Sequence, residues 1–172
     1  MADIEVLTTL RFKMRPLQHG DEAALFPTLG DEAQCRYLSH PPFESEQQLW
    51  DWLADPEWPG LSWIAIDEAG EVAGRFVAVP GPADGVLEIG YIVCKDRQGE
   101  GIARECMEAL IAHLWSTGAR KLTAEIDTRN TASLRLIEKL GFTCDAHIKH
   151  HEETHIGVCD MYFYGKLRPS EA

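Results

Sequence analysis

Apolar Leu10, Phe12 and Met14 alternate with polar neighbours, and with Leu7 before them they predict a strand over residues 7–14 that Pro16 ends. Helical segments are expected over residues 21–29 and 31–38, before Pro41 and Pro42 break the chain. Ser45 then opens an amphipathic helix carrying Leu49, Trp50, Trp52 and Leu53, which stops near Pro56. Strands over residues 62–67 and 72–79 flank a short turn of Glu68, Ala69, Gly70 and Glu71, and a longer strand follows over 86–94. Beyond it a helix runs to about Ser116 with Ile102, Cys106, Leu110 and Leu114 on one face, and Gly118 closes it. A strand over 121–127, a helix over 131–140 ended by Gly141, and strands near 142–150 and 158–167 complete a mixed α/β order. No repeat, low-complexity tract or linker marks a boundary, so one domain over residues 1–172 is expected.

Composition narrows the class. At 172 residues the chain is long enough to bury a core without metals or disulfides, and no apolar run approaches the ~18 residues of a membrane span. The N-terminal stretch lacks the continuous apolar segment of a signal peptide, so a cytoplasmic protein with no membrane partner is expected. Cys35, Cys94, Cys106, Cys144 and Cys159 are odd in number, widely spaced and without a CxxC, which favours reduced thiols over disulfides or zinc. His147, His150, His151 and His155 cluster, but no standard ligand spacing completes them, and no metal is expected. The net charge is −12, and it is uneven: residues 1–60 hold eleven Asp/Glu against four Lys/Arg, whereas residues 95–172 are nearly balanced. Such acidity repels phosphate backbones and disfavours direct nucleic-acid binding; by itself it need do no more than keep the protein soluble.

Two segments carry chemistry. In QGEGIA, residues 98–103, two glycines stand where a strand passes into a helix, so backbone N–H groups can converge on an anion at the positive end of the helix dipole. Glycines also serve turns for structural reasons alone. A P-loop is excluded, because Ile102 and Ala103 follow Gly101 where Lys and Ser/Thr are required. A dinucleotide fingerprint fails at Arg104, which stands where a third glycine is needed. The second segment, NTASLRLIEKLGF at residues 130–142, reads as a capped helix: Asn130 as N-cap, Leu134, Ile137 and Leu140 as the buried stripe, Gly141 at the end. Capping does not explain its pairing with QGEGIA one helix and one strand earlier.

That pairing resembles the GNAT superfamily of N-acetyltransferases, whose Q/R-x-x-G-x-G/A signature is matched by Gln98, Gly101 and Ala103. NTASLRLIEKLGF, the opening LRFKMRPLQHGDEAALF and the strand LEIGYIV resemble its RimJ/RimL-like branch, which includes ribosomal-protein N-terminal acetyltransferases. The resemblance implies a single-domain α/β (α+β) GNAT fold: a mixed, mostly antiparallel sheet of about seven strands flanked by helices, splayed between the strand ending at Cys94 and that over 121–127. It implies acetyl-CoA as co-substrate, with the pyrophosphate on the amides of Gly99, Glu100, Gly101, Ile102 and Ala103. Gln98 belongs to the signature, Arg104 adds charge, Asn130 and Ser133 lie near the pantetheine and thiol, and the backbone of Val93 meets the thioester.

Amide formation from a thioester needs an amine relieved of its proton, a stabilised oxyanion and a protonated leaving thiolate. The resemblance assigns the oxyanion to the Val93 N–H and the thiolate to Ser133, whose hydroxyl has a competing use on the helix backbone. Glu88 is the candidate base, with an ammonium clamp as its other reading; Glu125 and Asp127 are lesser candidates, a water can replace all three, and Tyr91 reads as core. Cys94 and Cys106 lack a nearby histidine and read as packing residues rather than nucleophiles. The expected reaction is direct acetyl transfer to a primary amine in a ternary complex, the acceptor being a basic protein N-terminus or a polyamine drawn by the acidic N-terminal half. A non-catalytic acyl-CoA-binding regulatory module is the alternative. A homodimer remains open.

Overall fold

Burial along the sheet alternates, and that alternation decides which helices cover which face. The computed structural model describes residues 4–170, and among them eight strands form one sheet in the order β1-β2-β3-β4-β5-β6-β8-β7. These are β1 (Leu7–Thr8), β2 (Lys13–Pro16), β3 (Leu61–Ile66), β4 (Val72–Pro80), β5 (Val86–Val93), β6 (Lys121–Asp127), β7 (Thr143–Thr154) and β8 (Gly157–Leu167). All neighbours are antiparallel except β5 and β6. The helices are α1 (Asp21–Leu29), α2 (Glu32–Cys35), α3 (Glu46–Leu53), α4 (Ile102–Ser116) and α5 (Thr131–Lys139).

Trp63, Phe76, Ala78, Leu122 and Ala124 point to the face covered by α4 and α5, where they meet Cys106, Met107, Leu110, Leu114 and Ile137. Ile64 and Cys94 point to the other face and join Leu25, Leu29, Leu49 and Leu53 of α1 and α3. The result is a three-layer arrangement, with the sheet between two helical layers.

The elements differ from the sequence expectation in three places. The strand expected over 7–14 is a hairpin: Thr9 N–H donates to Phe12 O at 2.8 Å, the Thr9 hydroxyl takes the Phe12 N–H at 2.9 Å, and Leu10 is left 91% exposed at the turn. That raises the strand number from about seven to eight. The helix expected over 31–38 ends at Cys35; Asp31 caps its start by accepting from the N–H groups of Ala33 and Gln34, and a turn closed by Leu38 N–H on Cys35 O follows. The last two strands are longer than expected and are offset by an irregularity between Ile148 and Glu152.

Candidate active site

Beyond β5 the chain makes a short turn over Lys95–Arg97 and an extended residue, Gln98. Gly99 and Gly101 then adopt φ of +84° and +78°, a left-handed conformation that side chains resist. Gly101 is the N-cap of α4, so the N–H groups of Ile102, Ala103 and Arg104 lie in the first turn without intrahelical acceptors, beside the positive end of a 15-residue helix. A Cβ at Gly99 would meet nothing within 4 Å, and at Gly101 only Arg11 Nη2 at 3.8 Å, so the space a side chain would fill is open to an anion. The loop fits a pyrophosphate by this test.

The side chains of the cradle are otherwise occupied. Gln98 Nε2 donates to Gln34 Oε1 at 2.7 Å and to Val93 O at 3.3 Å, tying the loop to α2 and the end of β5. Glu100 pairs with Arg97, exposed Arg104 pairs with Glu108 at 2.9 Å, and Ile102 is buried in the core. Arg11 adds a cation, donating from Nη2 to Glu100 O at 3.0 Å while bound to Glu105.

Next to this loop the sheet parts. β5 and β6 pair only through Val86↔Lys121, Leu87↔Leu122 and Glu88↔Thr123; beyond Glu88 the two strands follow β4 and β8 instead. Cys94 N–H bonds to Ala73 O, so by antiparallel alternation the N–H and C=O groups of Val93 and Tyr91 point away from β4 into the opening. A cleft of about 440 Å³ lies there, lined by Glu88, Tyr91, Ser133, Asn130, Glu125 and Asp127 among others.

Alternation also sorts these groups by face. Glu88 lies on the α1/α3 side of β5, and Glu125 and Asp127 on the same side of β6, whereas Tyr91 stands on the α4/α5 side, where α5 brings Ser133. Burial, with the nearby charges of Glu125 and Glu152, pushes the Glu88 carboxyl above its usual range; burial and Glu152 act likewise on Glu125. Asp127 is held low by Arg129, which binds both its oxygens, so it is ion-paired rather than free.

Asn130 is used as a cap, its Oδ1 accepting from Ser133 N–H at 3.3 Å. The Ser133 hydroxyl shares a 3.0 Å hydrogen bond with the Tyr91 hydroxyl instead of the helix backbone, so Tyr91 is more than a core residue. Cys94 and Cys106 are buried thiols pushed up to about 11 and about 12 by burial, a poor state for a nucleophile. His147 and His151 pack on Tyr162 and Phe163 of the β7–β8 hairpin, and no group of His, Cys, Asp or Glu able to hold a metal occurs among the described residues.

Sequence reading missed several cleft residues. Tyr37, Ser39 and His40 arrive because α2 ends early, and Glu152 because the β7 irregularity turns it inward; neither has a local signal. Arg75 did have one, as a lone cation within VAGRFVAV. The acidity of residues 1–60 does not line the cleft: Leu29, Tyr37, Leu38, Ser39, His40 and Trp52 come from that half, and the carboxylates come from β5, β6 and β7.

Residues 11–143 match the acetyltransferase (GNAT) domain family. A curated relative, the uncharacterized N-acetyltransferase p20 of Bacillus licheniformis, is 25% identical over 174 residues, covering 96% of this chain and 97% of its own. Among solved structures, a GNAT-family acetyltransferase from Bacillus anthracis superposes with a TM-score of 0.87 at 18% identity, covering 95% of this chain and 99% of its own. RimL, the ribosomal L7/L12 alpha-N-protein acetyltransferase in complex with coenzyme A, gives 0.80 at 20% identity, covering 95% and 98%. Spermidine N-acetyltransferase from Vibrio cholerae, in complex with CoA and spermine, gives 0.79 at 16% identity, covering 92% and 96%. At these identities the structural likeness speaks for the fold.

Proposed function

The chain belongs to the acetyltransferase (GNAT) domain family and is an acetyl-CoA-dependent N-acetyltransferase; from that premise we propose that it acetylates a primary amine carrying further positive charge, by direct attack in a ternary complex. One observation carries the choice of acceptor: Glu88, Glu125 and Glu152 line one cleft, where burial, then the charges of Glu125 and Glu152, raise the Glu88 pKa. Such carboxylates favour a bound ammonium group. Neighbours of the same fold include enzymes acting on a ribosomal protein and on spermidine, so a basic protein N-terminus and a small cationic amine are both within the class, as is membership of the RimJ/RimL-like branch.

The roles follow from the faces. Backbone N–H groups from Gly99 to Arg104 hold the pyrophosphate, and the Val93 N–H, directed into the opening, supports the oxyanion. Glu88 approaches from the α1/α3 face and takes the ammonium proton, directly or through water. Ser133, polarised by Tyr91, approaches from the other face and returns a proton to the leaving thiolate. With base and acid on opposite sides of one opening, both substrates are in place together and no covalent enzyme intermediate is required.

The test is amine-dependent release of CoA thiol from acetyl-CoA across a panel of amines. Release with cationic amines is expected. Tight acetyl-CoA binding without thiol release from any amine would point to the regulatory module instead.

A further inference from the structure

Arg75 sits in the middle of β4, opposite Ile64 on β3 and Ile92 on β5, on the face packed by α1 and α3. It is a permanent cation, yet only 7% exposed. Its Nε donates to Ser62 Oγ at 2.9 Å, and the guanidinium lies 4.9 Å and 5.0 Å from the ring centroids of Trp52 and Trp58. No carboxylate lies within ion-pair distance of it among the described residues, whereas Arg15 and Arg129 each take one and Arg97 takes two. Burial, with no acid to offset it, pushes the Arg75 pKa down to about 10.

A buried cation without a counter-ion is costly, and packing two indoles does not require one. The stack and the Ser62 bond leave the terminal nitrogens without a protein acceptor. Among the described residues every fully buried side-chain nitrogen or oxygen has a partner, so these nitrogens keep some accessible surface, and Arg75 is one of the residues lining the cleft. His40, whose ring lies 4.8 Å from Trp52, feels the Arg75 charge and is disfavoured as a cation, chiefly by burial. The cleft is therefore polarised: Arg75 and His40 lie toward β4 and α3, and Glu88, Glu125 and Glu152 toward β5, β6 and β7.

We propose that Arg75 is the receptor for a carboxylate on the acceptor, so that the acceptor is an amino-acid-type molecule, a diamine bearing a carboxylate, rather than a simple polyamine. The planar guanidinium fork suits a carboxylate, and the Trp52 and Trp58 rings, 4.9 Å and 5.0 Å away, limit how far it can swing. The cation supplies what the acidic wall cannot, a reason to prefer one amine over another of equal positive charge. The inference rests on reading this cleft as the acceptor site.

The test uses a matched pair of probes, L-lysine and cadaverine, which share two ammonium groups and differ in the carboxylate. Binding to the full chain is followed by calorimetry and by the fluorescence of Trp52 and Trp58. Wild type is expected to bind L-lysine roughly tenfold or more tightly than cadaverine, the scale of a hydrogen bond to a charged group. Arg75→Met should remove that preference by weakening L-lysine without weakening cadaverine; Arg75→Gln, which keeps a donor for Ser62, stands in if Arg75→Met does not fold. Equal affinities in wild type, binding of neither amine, or a preference that survives both substitutions overturns the proposal. Thiol release from acetyl-CoA with the same amines reports separately on transfer: equal turnover of both upholds acetyl transfer and overturns the carboxylate receptor, while a binding preference without turnover upholds the receptor and overturns transfer.

Discussion

At Gly101 the backbone is left-handed, φ +78°, in a space that a Cβ could enter without meeting backbone. Substitution there costs about 1–2 kcal/mol of conformational strain and leaves the packing intact. Gly101→Glu is therefore expected to fold, with a modestly lowered Tm, and to lose acetyl-CoA binding because a carboxylate then occupies the anion site; calorimetry on the folded variant decides this, and unchanged affinity removes the cradle assignment. Ser133 is a cleaner case, because Asn130 caps α5 through the Ser133 backbone N–H and not through its hydroxyl. Ser133→Ala should lower kcat by about tenfold or more, within the range for general acid catalysis, with acetyl-CoA affinity little changed. Tyr91→Phe, which strips the hydroxyl of its partner, should lower kcat by a smaller factor. A Ser133→Ala variant with full kcat and a reduced Tm would make the hydroxyl structural.

Among the elements, the parting of β5 from β6 is the decisive event, and the β7–β8 hairpin supplies the charge that tunes it. Glu88 is raised by burial and then by Glu125 and Glu152, so its base form is gained as pH rises through a value above the ordinary carboxylate range. The acid limb of kcat/KM is expected to lie above that range. Glu152→Gln removes one like charge, lowers the Glu88 pKa and should move the limb to lower pH, as measured by the pH profile of thiol release. A limb that stays in place in Glu152→Gln would mean that another group sets it. Glu152 itself was illegible in the sequence: its direction depends on the irregularity between Ile148 and Glu152, where β7 and β8 fall out of register. The strand over 121–127 and the helix after it were legible, because period-two alternation, the Asn130 cap and Gly141 are all local.

Across the whole molecule the charge of −12 is spread so that the N-terminal acidity lies outside the cleft, with Asp21 and Asp31 paired to Arg15 and Lys95 and the cleft carboxylates coming from β5, β6 and β7. Steering of a cationic acceptor then falls mainly to Glu88, Glu125 and Glu152, backed by the general field. The KM of an acceptor with positive charge beyond the reacting amine should rise between low and physiological ionic strength, as the Debye length falls to ~8 Å. An acceptor without that charge should barely respond. Equal responses in steady-state assays would leave the acidity with a role in solubility alone.

What the sequence determined by itself is what near neighbours decide. The helix stripes, the start of α3 at Ser45, the cap at Asn130 and the glycine turn before α4 depend on residues a few positions away, and they appear where the pattern placed them. The tertiary structure alone decided what meets across the chain: Tyr91 with Ser133, Glu88, Glu125 and Glu152 from three strands in one cleft, and Arg75 with Trp52 and Trp58. Those meetings depend on strand register and on where α2 ends and β7 is offset, which are settled by long-range pairing and packing. A one-residue change of register would send each of these side chains to the opposite face of the sheet, so no local pattern contains them.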